Sequence, residues 1–388
     1  MKYSSLVARI QGRRTAAWEI HHAAQAAVAA GGDVIILSVG DPDFATPEMI
    51  VERAVTALRD GDTHYSPVSG REPLRVAIAE EHSDQSGQRL TAENVILCAG
   101  AQNGLFASSL CLCEAGDEVI VPEPMYLTYE AAIRVTGATL VPVPVDPKRG
   151  FHLDSDALEA AITPRTKAIF IATPCNPTGV VMPRVDLERI ARLACAHDLW
   201  VLSDEVYADL TFEREHISIG SFPGMASRTV TLGSLSKSHA MAGWRLGWVI
   251  GPPPLIEHLG RLALCMLYGL PGFVQQAALV ALEHKSTIVA DMREIYRRRR
   301  DIVYERLSQV RRLRCLLPEA GMFVMIDVTG TGLGAHQFSW ELFRAQRVSL
   351  LDASAFGETA NGYVRLGLVV DDRRLIEACE RIAEFVGD

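Results

Sequence analysis

Long apolar runs are absent from this 388-residue chain. None approaches the ~18 consecutive apolar residues of a membrane span, so no contact with a bilayer interior is expected. The opening MKYSSLVARI has no apolar core segment and therefore reads as carrying no secretory signal. Metal-ligand spacing is missing as well. The eight cysteines are scattered without a CxxC pair, and Cys98, Cys195 and Cys265 sit in apolar surroundings, so reduced, buried thiols in a cytoplasmic protein are expected. Cys111 and Cys113 fall two apart in a helix-like stretch and do not face each other, and adjacent His21 and His22 point apart, so no metal site is expected. Positive charge is in deficit: 38 Lys and Arg against 47 Asp and Glu give a net charge of -9, which argues against nucleic acid. The one basic run, RRRR at 297–300, has acids three or four residues away on a helix (Asp291, Glu294, Asp301, Glu305), which predicts a salt-bridged, solvated face.

What is present is a soluble, enzyme-sized composition, 48% hydrophobic and 22% charged. Between residues 90 and 252, short apolar runs alternate with helix-like segments. The runs are VILC (95–98), EVIV (118–121), TLVPVPV (139–145), AIFIA (168–172), WVL (200–202), TVTL (229–232) and LGWVI (246–250). Helical periodicity marks 102–113, 154–162 and 184–196. Continuous apolar strands alternating with helices predict an α/β fold with a mostly parallel central sheet covered on both faces. The flanks differ. Residues 12–31 are Ala-rich and read as helix, and Thr46-Pro47-Glu48 reads as an N-cap followed by proline in the first turn. A long charged helix pattern (287–309), then FVMIDV and YVRLGLV, predicts a smaller α+β domain. The expected division is a large domain at 45–285 and a small one made of 1–44 and 286–388.

Polar residues follow the runs in a pattern. Gly100-Ala101-Gln102 follows VILC, Asn176 follows AIFIATPC, Asp204 and Tyr207 follow WVLS, and Ser234, Ser236 and Lys237 follow TVTLG. Four strands thus deliver polar groups at their carboxyl ends, where open α/β sheets hold their ligands. Taken singly, Ser234 or Tyr126 is more often turn or core than ligand, Asp204-Glu205 could simply cap a helix, and Arg365 could be a surface ion-pair residue. Lys237 is harder to explain that way, because a lysine after a strand, among serines, gains nothing structurally from its place. An amine, a carboxylate, a phenol, an amide and phosphate donors together match the needs of pyridoxal phosphate (PLP). Desolvation and a neighbouring cation such as Arg245 would lower the lysine's pKa. GTGLG (330–334) lacks the strand–turn–helix context of a dinucleotide loop and is expected to be a turn.

GDPDF (40–44), HYSPVSG (64–70), CNPTG (175–179), SDEVY (203–207), SLSKSHAMAGWR (234–245) and YVRLG (363–367) carry a resemblance. In this order the chain resembles a class I/II aminotransferase of PLP fold type I over nearly its whole length. The resemblance implies that Lys237 forms the Schiff base and moves the proton, that Asp204 partners the pyridine nitrogen, and that Tyr207 and Asn176 hydrogen-bond the ring oxygen. Ala101 and Gln102 match the phosphate loop, Ser234 and Arg245 further phosphate contacts, and Tyr126 a stacking ring. Arg365 matches the residue that binds the substrate carboxylate, with Gly40 and Asn176. Tyr65 matches a tyrosine that reaches the neighbouring subunit's phosphate, which implies a homodimer with shared sites. The family pattern begins within the first residues, which leaves no room for the DNA-binding domain of a PLP-fold regulator. Wider stretches (AAWEIH, LSVGDPDF, EPMYLTYE, LALCMLYG, YRRRRD, GMFVMIDV) are most similar to arginine:pyruvate aminotransferases of bacterial arginine catabolism. That similarity implies an arginine-like amino donor and a 2-oxo acid acceptor, with Trp18 and Glu19 near the substrate side chain as stacking face and carboxylate. A broad-range aspartate or aromatic aminotransferase, or a PLP-dependent lyase, decarboxylase or oxidase on the same fold, stays open.

Overall fold

The continuous apolar runs become strands because most of the sheet they form is covered on both faces; only the edge strand at Thr139–Pro144 is largely open to water. In a computed structural model, which describes residues 1–10 and 15–387 (Thr15 and Ala16 by backbone alone), the strands in chain order are β1 (Ile35–Ile36), β2 (Val95–Cys98), β3 (Glu118–Glu123), β4 (Thr139–Pro144), β5 (Thr166–Ala172), β6 (Trp200–Asp204), β7 (Thr229–Ser234) and β8 (Gly247–Ile250). They continue with β9 (Arg314–Cys315), β10 (Phe323–Asp327), β11 (Val348–Ser349), β12 (Leu351–Asp352) and β13 (Tyr363–Gly367).

Seven of them make the central sheet, in the order β2-β8-β7-β6-β5-β3-β4. All neighbours run parallel except β8, which is antiparallel to both β2 and β7. Alternation along β5 sends Ile169 and Ile171 into one core and Phe170 into another on the opposite face. The helix Arg184–Ala196 covers the first face with Leu187, Ile190 and Ala194, and the helix Ala101–Leu112 covers the second with Leu105 and Leu112. Fully burying a Leu, Ile or Phe side chain stabilises by roughly 1.5–3 kcal/mol, so these two layers dominate the fold's energetics.

A second, antiparallel sheet has the order β12-β13-β10-β9, with Arg365 of β13 opposite Met325 of β10. Its core gathers Tyr296, Val303 and Leu307 from the helix Lys285–Leu307, Phe338 and Leu342 from the helix Ala335–Gln346, and Leu375 and Ile382 from the helix Asp372–Val386. The early chain reaches this region: β1 pairs in parallel with β11, and Leu37 O accepts the Gly367 N–H at 2.8 Å. Among the described residues no helix is long and apolar enough to cross a membrane.

Four local expectations need correction. Thr46 does not cap the next helix; Pro47 occupies the N-cap of Glu48–Arg59. The Thr46 hydroxyl instead donates to Ala240 O at 2.6 Å and accepts from Trp244 Nε1 at 2.9 Å. The RRRR run is only half solvated. Arg297 pairs with Glu294 and Arg298 with Asp372, but Arg299 and Arg300 are buried against Asp43 and Glu213, far away in sequence. Cys195 and Cys265 are exposed rather than buried, because their helices turn those positions outward; all eight cysteines are unpaired. The N-terminal Ala-rich stretch is a 3-10 turn at Thr15–Trp18 and a helix at Glu19–Ala29, and its residues 12–14 lie outside the described residues.

Candidate active site

The carboxyl ends of β2, β5, β6 and β7 open on one cavity of about 190 Å³. Its wall includes Ala101, Gln102, Tyr126, Asn176, Asp204, Tyr207, Ser234, Lys237 and Arg245, nine of the residues singled out by motif. Topology accounts for the meeting. Parallel β5, β6 and β7 deliver their ends to the same edge, while antiparallel β8 starts at that edge, with Gly247 opposite Ser234, so Arg245 arrives there too.

Lys237 leaves β7 after Ser234, whose hydroxyl accepts the Ser236 N–H and donates to Leu246 O, each at 3.0 Å. This knot fixes the turn from which the lysine reaches out. Its Nζ donates to Gly40 O at 2.6 Å. Burial, then Arg365 and Arg245, push the amine down to about 8, against the opposing pull of Asp41. The amine is therefore a free base over much of the alkaline range.

Asp204 ends β6. One oxygen accepts the Tyr129 hydroxyl at 2.7 Å and the other the Val206 N–H at 3.3 Å. Burial pushes its carboxyl up to about 6; these two bonds pull it down and neighbouring Glu205 pushes it further up. Tyr126 packs edge-on to Tyr129. Burial raises the Tyr207 phenol, so it stays protonated, and its oxygen accepts from Asn176 Nδ2 at 3.4 Å.

Asn176 continues the chain of contacts, since its Oδ1 accepts from Arg365 Nη1 at 2.9 Å. Arg365 is 3% exposed, with Nη2 donating to Ser38 O at 3.2 Å. Its guanidinium lies 4.0 Å from the ring centroid of Phe323 and 4.9 Å from that of Phe356. Among the described residues no carboxylate pairs with it, its Nε has no hydrogen-bond partner, and burial pushes it down to about 10. A buried cation without an anion is costly unless a ligand supplies one. Gly40 belongs to this arrangement by its lack of a side chain: a Cβ there would overlap the Phe323 ring.

Opposite lies an anion cradle. The helix Ala101–Leu112 begins after Gly100, which has φ 80° and gives no side-chain cap, so the orphan amides and the positive end of the helix dipole are open to an anion. A Cβ at Gly100 would strike the Arg245 guanidinium. Arg245 itself sits at φ 55°, a left-handed conformation uncommon for a non-glycine residue.

Not every expected residue is in this wall. Trp18 packs partly buried against the core beside the β5 face, edge-on to His21, and Glu19 is exposed at the start of its helix. Tyr65 is 86% exposed, with its ring 5.0 Å from that of Tyr268. Ser236, noted after TVTLG, also lines the wall, while motif reading missed Tyr129 and Val206. Tyr129 follows Tyr126 by three residues in EPMYLTYE, a one-turn spacing that would have placed both rings on one side.

Comparison with known proteins agrees with this geometry. The family model for aminotransferase class I and II matches residues 32–382. The chain is 52% identical over 383 residues to an arginine–pyruvate transaminase of Pseudomonas aeruginosa, covering 99% of this chain and 98% of that one. It is 37% identical to an aspartate aminotransferase of Pyrococcus abyssi, covering 92% and 93%. Among solved structures, an aspartate aminotransferase of Thermus thermophilus with maleate superposes with a TM-score of 0.94 at 34% identity, covering 99% of this chain and all of that one. A motif order kept from Gly40 to Arg365, a shared fold and a family match across nearly the full length lead to one assignment: the chain belongs to the class I and II aminotransferases.

Proposed function

We propose that this aminotransferase uses PLP and moves the α-amino group of arginine, or another guanidino or basic L-amino acid, to a 2-oxo acid such as pyruvate in two alternating half-reactions. One observation carries the reading. A lysine amine near neutrality, a carboxylate at the foot of the same cavity, and a buried guanidinium without a carboxylate are joined by Asn176 and Gly40. The donor set fits the cofactor: an uncapped helix N-terminus for a phosphate, a cavity walled by tyrosines, and an acid for a ring nitrogen. When bound, PLP would supply an aldehyde carbon for amines and a ring that takes up the electrons released at the substrate Cα.

The residues divide the remaining work. Amides of Ala101 and Gln102, with Ser234 and Arg245, would hold the phosphate. Tyr126 would face the ring, Asp204 would keep its nitrogen protonated, and Asn176 and Tyr207 would donate to its phenolic oxygen. Lys237 Nζ, freed from Gly40 O, would take the proton from the substrate Cα and return it two atoms further along, beyond the amino nitrogen. Arg365, with Gly40 and Asn176, orients the α-carboxylate.

The arginine donor is favoured by the 52% identical transaminase, whose name carries that substrate. Trp18 and Glu19 would then flank the substrate's side chain as stacking face and carboxylate. A broad aspartate or aromatic donor range is the second reading, favoured by relatives of those names at 36–37% identity. A homodimer with shared sites is part of the proposal. The exposed patch of Tyr65, Tyr268, Leu264 and Leu267 supports it, with Tyr65 reaching the partner's phosphate site. The large domain at 45–285 and the small one of 1–44 and 286–388 are taken to close over substrate, in a reducing cytoplasm suited to eight unpaired thiols.

Mixing the PLP-loaded enzyme with single amino acids tests the reading. Arginine alone is expected to convert bound cofactor to its amine form with one equivalent of 2-oxo acid, and without ammonia release or oxygen uptake. Ammonia or oxygen consumption would assign a lyase or oxidase, and a faster response to aspartate would move the donor class.

A further inference from the structure

Two residues that the functional assignment leaves unused meet at Asp204. Tyr129 is fully buried, and its hydroxyl donates to the Asp204 carboxylate at 2.7 Å. Glu205, the next residue along the chain, is buried as well. Its Oε1 accepts from Ser203 at 2.8 Å and Ser218 at 2.9 Å, and its Oε2 accepts from His216 Nε2 at 2.9 Å. Burial works against the charged form of this carboxylate, but His216, His82 and Ser203 together hold it below the usual carboxylate range. His216 Nδ1 is buried without a hydrogen-bond partner. Glu205 lines a second small cavity, with Glu81, His82, Asp209 and Lys285; Ser234 and Val206 border this cavity and the active-site cavity alike.

We propose that Tyr129 and Glu205 are positioning residues that act on Asp204 from opposite sides, Tyr129 by tethering its carboxylate in the charged form and Glu205 by setting a fixed negative charge behind it. Other groups face the pair. Tyr126, Tyr207 and Cys175 surround Asp204, all with protonation raised by burial. Lys237 and Arg245 share its cavity, and His82 and His216 face Glu205. None of these contributes a second buried anion next to Asp204. The tether and the charge together keep Asp204 ionised near neutral pH while leaving its carboxylate basic enough to hold a proton on a ring nitrogen. That consequence rests on the PLP reading; the opposed action on Asp204 does not.

The test uses Tyr129→Phe and Glu205→Gln, neither of which changes side-chain size much. In the full-length PLP-loaded enzyme, the acid limb of the kcat/KM profile is expected to move up by about one pH unit in Tyr129→Phe, which loses a bond to the anion, and down by roughly half a unit to one unit in Glu205→Gln. A readout independent of turnover is the carboxyl carbon resonance of labelled aspartate in the cofactor-free chain, assigned to Asp204 by its loss in Asp204→Asn. It should titrate near pH 6 in the parent and shift in the same two directions. In the parent chain, the labelled Glu205 carboxyl should stay ionised while Asp204 titrates, a measurement that decides the case even if Glu205→Gln does not fold. Shifts in one direction, no shift, or a Glu205 that takes up a proton with Asp204 would overturn the proposal. Opposed carboxyl shifts in an inactive enzyme would uphold it and remove the PLP reading instead.

Discussion

Arg299 and Arg365 are both buried, both lie against a phenylalanine ring, and both come from the C-terminal third of the chain. They differ in what answers their charge. Arg299 forms a two-pronged pair with Asp43 at 2.7 and 2.8 Å and donates to Leu368 O at 3.0 Å, and Asp43 raises its pKa. Among the described residues Arg365 meets an amide oxygen, a carbonyl and two rings but no carboxylate, and burial lowers its pKa. Burial alone therefore does not mark a functional arginine; the missing anion does. Arg299 clamps the loop that carries Gly40 to the helix Lys285–Leu307. In the proposed function, Arg365 holds its charge for a substrate carboxylate.

The comparison assumes that the Arg365 side of the molecule is a working site, and Lys237→Ala tests that assumption most severely. Turnover should fall by about 10⁴-fold, because both a nucleophile and a proton carrier are lost, and retained activity would leave Arg365 without a site to serve. Replacing each arginine by methionine separates the pair directly. Arg365→Met should lower kcat/KM for every donor by about 30- to 1000-fold, from the ~2–4 kcal/mol of a desolvated charge-assisted pair. Its melting temperature should hold or rise. A guanidinium whose folded pKa lies below its unfolded value is disfavoured in its charged form by folding, so at neutral pH its removal relieves a cost. Arg299→Met should do the reverse: strand Asp43, destabilise by about 3–5 kcal/mol in thermal or urea unfolding, and leave kcat/KM of the folded fraction within about tenfold. Equal effects of the two replacements on melting would end the distinction. The smallest expected effect is at Glu19, an exposed acid: Glu19→Gln should reduce kcat/KM for arginine by roughly threefold to tenfold and leave alanine unchanged, as suits a screened rim charge.

Local signals in the sequence carried the central sheet and the gathering of polar residues at its edge. The runs at 95–98 and 168–172 are apolar on both faces, so their burial needs no long-range information, and the residues after them inherit a common edge from the sheet's topology. What was illegible depends on partners distant in the chain. Arg299 and Arg300 look like their exposed neighbours Arg297 and Arg298 until Asp43 and Glu213 are brought beside them. Thr46 has the residue type of a helix cap, but Ala240 and Trp244 claim its hydroxyl. Tyr129 reads as an ordinary core aromatic, since only the fold sets Asp204 at its oxygen. Cys195 and Cys265 show the same limit in reverse: apolar sequence neighbours do not say which way a helix turns.

Antiparallel β8 has a consequence beyond packing. Because the chain goes out from Ser234 and comes back to Gly247 on one edge, the twelve residues between them furnish both the Lys237 amine and the Arg245 cation beside Gly100. A gene fragment spanning that excursion would carry the two together through recombination, and a lengthened insert would part them. Shuffling among relatives should tolerate crossovers on either side of this cassette and few within it.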